Sequence, residues 1–148
     1  MKTLEEKIKS ELKEGYELVW VESHKSSTYF YITNPDGIKL VARTSDHDAI
    51  AGASKSHVQV ICDTFLNLDV DFEPVYDEDD YEIELTKEEA AKQLSEKFGV
   101  IISEDMVWEA DEYNCKLDWR KMSTDLMDTI TAKYIAEKIS EAKSTILY

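Results

Sequence analysis

Apolar residues near the N-terminus recur every fourth position. Leu4, Ile8 and Leu12 share one face of a helix predicted over about 4–14. Thr3-Leu-Glu-Glu6 is a capping box at its start, and Gly15 is placed to end it. The pattern then shortens to that of strands. Tyr16–Glu22 reads as one, Ser23–Ser27 as a polar connector, and Thr28–Thr33 and Ile38–Arg43 as a hairpin. Asn34-Pro-Asp-Gly37 joins its arms, with proline pre-set at the second place and glycine supplying a positive φ. Residues 44–56 are small and polar and read as a loop or a short broken helix, and His57–Cys62 as a fourth strand.

Asp69, Asp71 and Glu73 alternate with Val70, Phe72 and, after a slip at Pro74, Val75. Glu82 and Glu84 alternate with Tyr81, Ile83 and Leu85. Both segments read as strands with one apolar and one anionic face, Pro74 confining the first to a sheet edge. Asp77–Asp80 would be the loop between them. Thr86-Lys-Glu-Glu89 is a second capping box, opening a helix through Ala90, Leu94 and Phe98 to Gly99. Val100–Ile102 reads as a short buried segment. Ser103 would cap a short helix through Met106, Val107 and Trp108, a pattern that Asp111-Glu-Tyr-Asn114 interrupts. Ser123 would cap the last helix, striped by Leu126, Ile130, Tyr134 or Ile135, and Ile139 to about Lys143. The expected class is α+β: a small antiparallel sheet with an N-terminal helix and two or three C-terminal helices.

Length and composition leave that picture intact. A chain of 148 residues, 43% hydrophobic, fits a single domain over 1–148. Charge changes it. The net charge is -15, and it is uneven. Residues 1–62 carry 8 Lys and Arg against 9 Asp and Glu, while residues 63–148 carry 9 against 23. This field repels nucleic acid and anionic membranes and attracts basic partners. The chain thus divides into a near-neutral half, 1–62, with helix and sheet, and a strongly acidic half, 63–148, with hairpin and helices. Cys62 and Cys115 are too few for a disulfide scaffold and lack zinc spacing; both are expected to be buried small hydrophobes. The start lacks the apolar run of a signal peptide, and no apolar stretch reaches membrane length, so a cytoplasmic protein is expected.

The segment after the hairpin holds the candidate catalytic chemistry. Arg43, Ser45, Asp46, His47 and His57 could supply a general base, a metal ligand and a phosphate-binding cation. A small hydrolase or nuclease using His47, His57, Arg43 and Asp46 is therefore one reading. No nucleophile elbow, zinc-helix motif or phosphate loop accompanies them. The bland reading is a polar loop in which Ser45 and Asp46 accept backbone amides.

A Ser- and Tyr-rich strand, Ser26-Ser-Thr-Tyr-Phe-Tyr31, followed by Arg43-Thr-Ser-Asp-His47, resembles small uncharacterised proteins of phages and mobile elements. The resemblance covers about a fifth of the chain. It implies a genetic context, with a phage-encoded protein acting in the host cytoplasm, and no activity.

Between Asp69 and Glu84 lie nine carboxylates in sixteen residues, with no Lys or Arg. Asp69, Asp71, Glu73, Asp77 and Asp80 fall at the first, third, fifth, ninth and twelfth places of a calcium loop. The sixth place, where an EF-hand needs glycine, is Pro74, and the twelfth is Asp rather than Glu. Neither a metal nor any other cofactor is expected. As a surface, Asp69, Asp71 and Glu73 would make a regular anionic row, flanked by Glu82 and Glu84 and tipped by Asp77, Glu78, Asp79 and Asp80. The row would extend through Glu109, Asp111 and Glu112 as far as Asp118. Tyr76, Tyr81, Trp108, Tyr113 and Trp119 are interleaved, Trp108 and Trp119 being expected to pack inward. Its bland counterpart is a solvated edge that resists strand pairing.

The leading expectation is a non-enzymatic binding protein that occupies a basic, nucleic-acid-binding surface of a partner. Its most concrete form is a phage-type inhibitor of a host defence nuclease, a DNA mimic of the anti-CRISPR or anti-restriction kind. An antitoxin or nucleotide-sequestering protein is a third reading, beside the enzyme.

Overall fold

The structure is a computed structural model that describes residues 2–24, 27–45, 57–62 and 65–142. Its elements form two compact units. The first comprises residues 1–63 and 124–148, and the second is the continuous stretch 64–123. Both mix helix and sheet, so the α+β class holds.

In the first unit, α1 (Leu4–Glu11) starts with the capping box. Thr3 Oγ1 accepts the Glu6 amide, and Glu6 Oε1 accepts the Thr3 amide, both at 3.2 Å. The helix ends three residues sooner than its periodicity suggested. Leu12 is already extended, and the Tyr16 amide donates to the Lys13 carbonyl to turn the chain into the first strand. Gly15, at φ +90°, lies beyond the helix end and lets this turn press on Pro35, whose Cγ would sit 2.9 Å from an added Cβ.

Strands β1 (Glu17–His24), β2 (Ser27–Thr33) and β3 (Lys39–Ser45) form an antiparallel meander. Ser23, His24 and Ser27 belong to strands and not to the expected connector. At the β2–β3 turn, the Asn34 carbonyl accepts the Gly37 amide at 2.9 Å. Asn34 Oδ1 accepts the Asp36 and Ile38 amides at 3.0 and 2.9 Å, so the sequence Asn-Pro-Asp-Gly dictates the hairpin. β1 is the outer strand of this meander, and it bulges at Val19. Such a bulge twists an edge away from further pairing.

β4 (His57–Cys62) is the expected fourth strand, but it runs parallel to β3, so the sheet is not wholly antiparallel.

Helix Thr124–Glu141 packs on α1, β3 and β4; its Ile130, Ile135 and Ile139 are fully buried, as are Ile8, Ile32 and Leu40 of the same unit. Two ion pairs bind the first and last helices: Lys7 to Asp125 at 2.6 Å and Lys133 to Glu11 at 3.1 Å. Lys7 also donates to Thr129 Oγ1 at 2.7 Å, so its ammonium is well satisfied despite being mostly buried. Asp128, half-buried nearby, has its carboxyl raised above the usual range by burial, with Lys7 opposing the shift.

The second unit begins with β5 (Phe65–Asp69), a strand not expected from the sequence. β6 (Val75–Tyr76) and β7 (Glu82–Ile83) form the acidic hairpin, far shorter than the alternation implied. α2 (Lys87–Phe98) starts at Thr86, whose hydroxyl accepts the Glu89 amide at 3.1 Å, and stops at Gly99 in the left-handed conformation. It buries Ala90, Ala91, Leu94 and Phe98, as its spacing predicts.

Of the expected buried segment 100–102, Ile102 is buried but Ile101 is 86% exposed. The helix expected after Ser103 is only a 3₁₀ turn, Glu104–Met106. Val107, Trp108 and the residues after them form β8 (Val107–Ala110), which pairs antiparallel with β9 (Asn114–Asp118). β9 also pairs with β5, where Leu66 and Leu68 lie opposite Leu117 and Cys115. These four buried residues, with α2 packed on β8, make the core of the unit. Helix Thr124–Glu141, the third among the described residues, is therefore α3. It belongs to the first unit, although its sequence lies in the acidic half.

No helix among the described residues is long and apolar enough to cross a membrane.

Ile8→Ala, which empties the centre of the α1–α3 seam, is expected to lower unfolding free energy by about 2–5 kcal/mol. A urea titration followed by circular dichroism measures it, and a loss below about 1 kcal/mol would show that the seam tolerates a cavity.

Candidate acidic binding surface

The second unit holds eighteen Asp and Glu residues against six Lys and Arg, a net of -12 of the whole chain's -15. All twelve carboxylates expected to form the binding surface lie in it. Asp69 ends β5; Asp71 and Glu73 follow on an extended segment; Glu82 is in β7, with Glu84 just after it; Glu109 is in β8. Asp77–Asp80 and Asp111–Glu112 occupy the two hairpin turns. Each of the twelve is exposed.

Local chemistry dictates both turns. Asp77 Oδ1 accepts the Asp79 and Tyr81 amides at 2.9 and 3.0 Å, and Asp80 takes φ +64°, a conformation Asp tolerates better than most residues. Asp111 Oδ1 accepts the Tyr113 and Asn114 amides, both at 2.9 Å. The Asp-Glu-Tyr-Asn stretch is therefore a hairpin turn and not a helix terminus.

The regular row expected from Asp69, Asp71 and Glu73 is not a strand beyond Asp69. The Val70 and Phe72 amides still donate to the Tyr113 and Glu112 carbonyls, at 3.0 and 3.1 Å. Pro74 has no amide to continue this ladder. Gln93 of α2 takes over the backbone of Glu73 instead: its Oε1 accepts the amide at 2.8 Å, and its Nε2 donates to the carbonyl at 3.2 Å.

These supports carry the chain around a groove of about 470 Å³. Three segments line it: 71–75, 82–85 and 110–113. Asp71, Glu73, Glu82, Glu84, Asp111 and Glu112 bring six of the twelve expected carboxylates to it, and no Lys or Arg lines it. Asp69 and Glu109, with Asp111, line a smaller depression of about 160 Å³ that also contains Lys116. Asp77–Asp80, at the hairpin tip, line neither. A third, more open depression, around Glu104 and Asp105, includes Lys87 and Lys121.

The apolar lining was not foreseen. Phe72, Val75, Ile83, Leu85 and Ala110 contribute to the groove, and Ile83 and Tyr113 are 43% and 64% exposed. Tyr76 and Tyr81 of the hairpin are exposed as well. The one available sequence signal was the placing of single apolar residues between carboxylates, which the chain uses for the core at Val70 and for a wet surface at Ile83. Trp108 and Trp119 are also exposed, contrary to the inward packing expected of them.

Asp118 does not belong to the surface. Its carboxylate is buried, accepts Arg120 Nε and a terminal nitrogen at 2.9 Å each, and also accepts the Arg120 amide at 3.1 Å. This bidentate pairing holds its carboxyl below the ordinary Asp value. Cys115 is buried as expected, and burial pushes its thiol up to about 12, so it is no nucleophile. The Cys62 side chain lies outside the described residues.

Of the candidate catalytic residues, Asp46 and His47 lie outside the described residues, as does the His57 side chain; the His57 backbone pairs with Val41. The Arg43 guanidinium lies 5.8 Å from the ring centre of Tyr29, which stacks with Tyr31. Its Nε is buried without a hydrogen-bond partner. No acid–base partner meets Arg43 among the described residues. Nor do three or more His, Cys, Asp or Glu cluster as metal ligands there.

No family model matches the chain, and no curated protein or solved structure is significantly similar to it.

Asp118→Asn tests the ion pair through pH. With its folded pKa below its unfolded value, Asp118 contributes stability that is complete above about pH 4 and is lost as pH falls through the folded value. The variant should be less stable at pH 7, with stability changing less than wild type between about pH 4 and 2. Equal slopes in pH-dependent urea melts would contradict this. Cys115 should resist a thiol reagent at pH 8 until the protein is unfolded, as read by peptide mapping.

Proposed function

We propose that this is a non-enzymatic binding protein whose acidic unit occupies the basic, nucleic-acid-binding surface of a partner protein. In its most specific form it is a phage-encoded inhibitor of a host defence nuclease, acting in the host cytoplasm as a DNA mimic. The observation that carries this reading is the net charge of -12 on residues 64–123, of whose eighteen carboxylates twelve lie exposed on or beside the two hairpins and the segment after β5.

The charge supports a partner of one kind. Arginines and lysines that bind phosphates are fixed cations, and an array of fixed carboxylates competes with the phosphates for them. Tyr76, Tyr81, Trp108 and Tyr113 lie exposed among the carboxylates. Aromatic faces hold guanidinium groups by cation–π contact, and aromatic residues are enriched at interfaces, whereas a surface serving only solubility has no use for them. Occupation of the partner's site would suffice for inhibition, so no catalytic group is needed.

The test is capture of DNA-binding proteins from host lysate on the immobilised protein. Captured proteins should be basic, should elute with salt, and should be displaced by duplex DNA. A variant carrying Glu78→Lys, Asp79→Lys, Glu82→Lys and Glu109→Lys should lose about tenfold or more of that binding. Asp77 is left intact because it closes its turn. Capture unchanged by charge reversal, at low and at high salt, would sink the proposal.

A further inference from the structure

We infer that the groove between 71–75, 82–85 and 110–113 is the anchoring site of that interaction, and that it takes an extended segment of the partner in which basic residues alternate with apolar ones. The inference rests on the reading of the acidic unit given above, and it assigns the contact to one place.

Charge density alone does not distinguish the groove, since carboxylates lie over much of the unit. Two further features do. The first is its lining. Phe72, Val75, Ile83, Leu85 and Ala110 offer apolar surface in a lining that also holds six carboxylates and no Lys or Arg. A metal ion would have no use for that lining, and no three ligands converge among the described residues. A segment with Arg or Lys beside Leu or Val matches both parts, its charged heads reaching the rim while its stems and apolar neighbours cover the floor. The volume of about 470 Å³ lies in the range that encloses a small ligand or several side chains.

The second feature is the backbone. The groove wall at Phe72–Glu73 has its amides already engaged, by the Glu112 carbonyl and by Gln93 Oε1. The Glu73 carbonyl is engaged by Gln93 Nε2. Strand addition along this wall is thus blocked, and recognition falls to side chains. The occupant is selected by its cations and apolar groups, not by backbone pairing.

The probe is a pair of fluorescent ten-residue peptides, one alternating Arg with Leu and one alternating Arg with Ser, titrated onto the whole protein by anisotropy. Wild type should bind the Leu peptide several-fold more tightly. Glu82→Gln with Glu84→Gln and Glu112→Gln should weaken it by about tenfold. Removing three charges outside the groove and outside the expected binding row, by Glu88→Gln, Glu96→Gln and Glu104→Gln, should weaken it less than about threefold. Thermal melts of both triple variants check that each is folded. Equal losses in the two variants would overturn the groove as anchor while leaving the acidic-surface reading standing. Equal affinity for the two peptides, tighter binding of spermine than of the Leu peptide, or no binding of either peptide would each overturn the groove's assignment to a basic–apolar segment. The acidic-surface reading itself fails only if host capture is indifferent to charge reversal and salt.

Discussion

Eighteen carboxylates share the sixty residues from Thr64 to Ser123, and their mutual repulsion is the constraint around which that unit is arranged. Two unit charges about 7 Å apart in water repel by roughly 0.6 kcal/mol, and salt weakens this further. Burying one leucine side chain contributes roughly 1.5–3 kcal/mol. A small core therefore suffices, provided the carboxylates stay wet. Leu66, Leu68, Leu94, Phe98 and Leu117 supply the core. The charges go to turns, strand ends, short exposed strands and the polar side of α2. Some of them also determine structure: Asp77 and Asp111 each accept two backbone amides, and Asp118, the buried exception, is neutralised by Arg120.

How far the fold was legible follows from the range of the interactions that make it. The capping box at Thr3, the Asn34–Gly37 turn and the stop at Gly99 depend on residues a few positions apart, and each is present as expected. β5 and the β8–β9 hairpin were not legible. Phe65-Leu-Asn-Leu-Asp alternates over too few residues to stand out, and its partner β9 lies about fifty residues away. Met106, Val107 and Trp108 suit a helix as well as a strand, and only the pairing of Val107 with Leu117 decides between them. The direction of β4 is likewise set by its pairing with β3, with no trace in His57–Cys62 itself.

The site was legible by residue type and not by assembly. Asp71 with Glu73, Glu82 with Glu84, and Asp111 with Glu112 stood out as carboxylate pairs, but their convergence on one groove depends on β5–β9 pairing and on Gln93 bracing Glu73. Ile83 and Tyr81 misled for a simple reason. An apolar residue in an alternating pattern signals a face, and only the rest of the fold says whether that face is covered.

The placing of unit boundaries has a kinetic consequence. Lys7 and Asp125 meet across 118 residues, so the seam between the first and last helices closes a very long loop. Sixty of the residues in that loop form the acidic unit, whose own strand and helix pairings are mostly of shorter range. Once that unit has folded, the loop loses half its flexible length, which reduces the entropic cost of closure by about 0.6 kcal/mol. A folded insert thus makes it easier for the helices at the two ends of the chain to find each other.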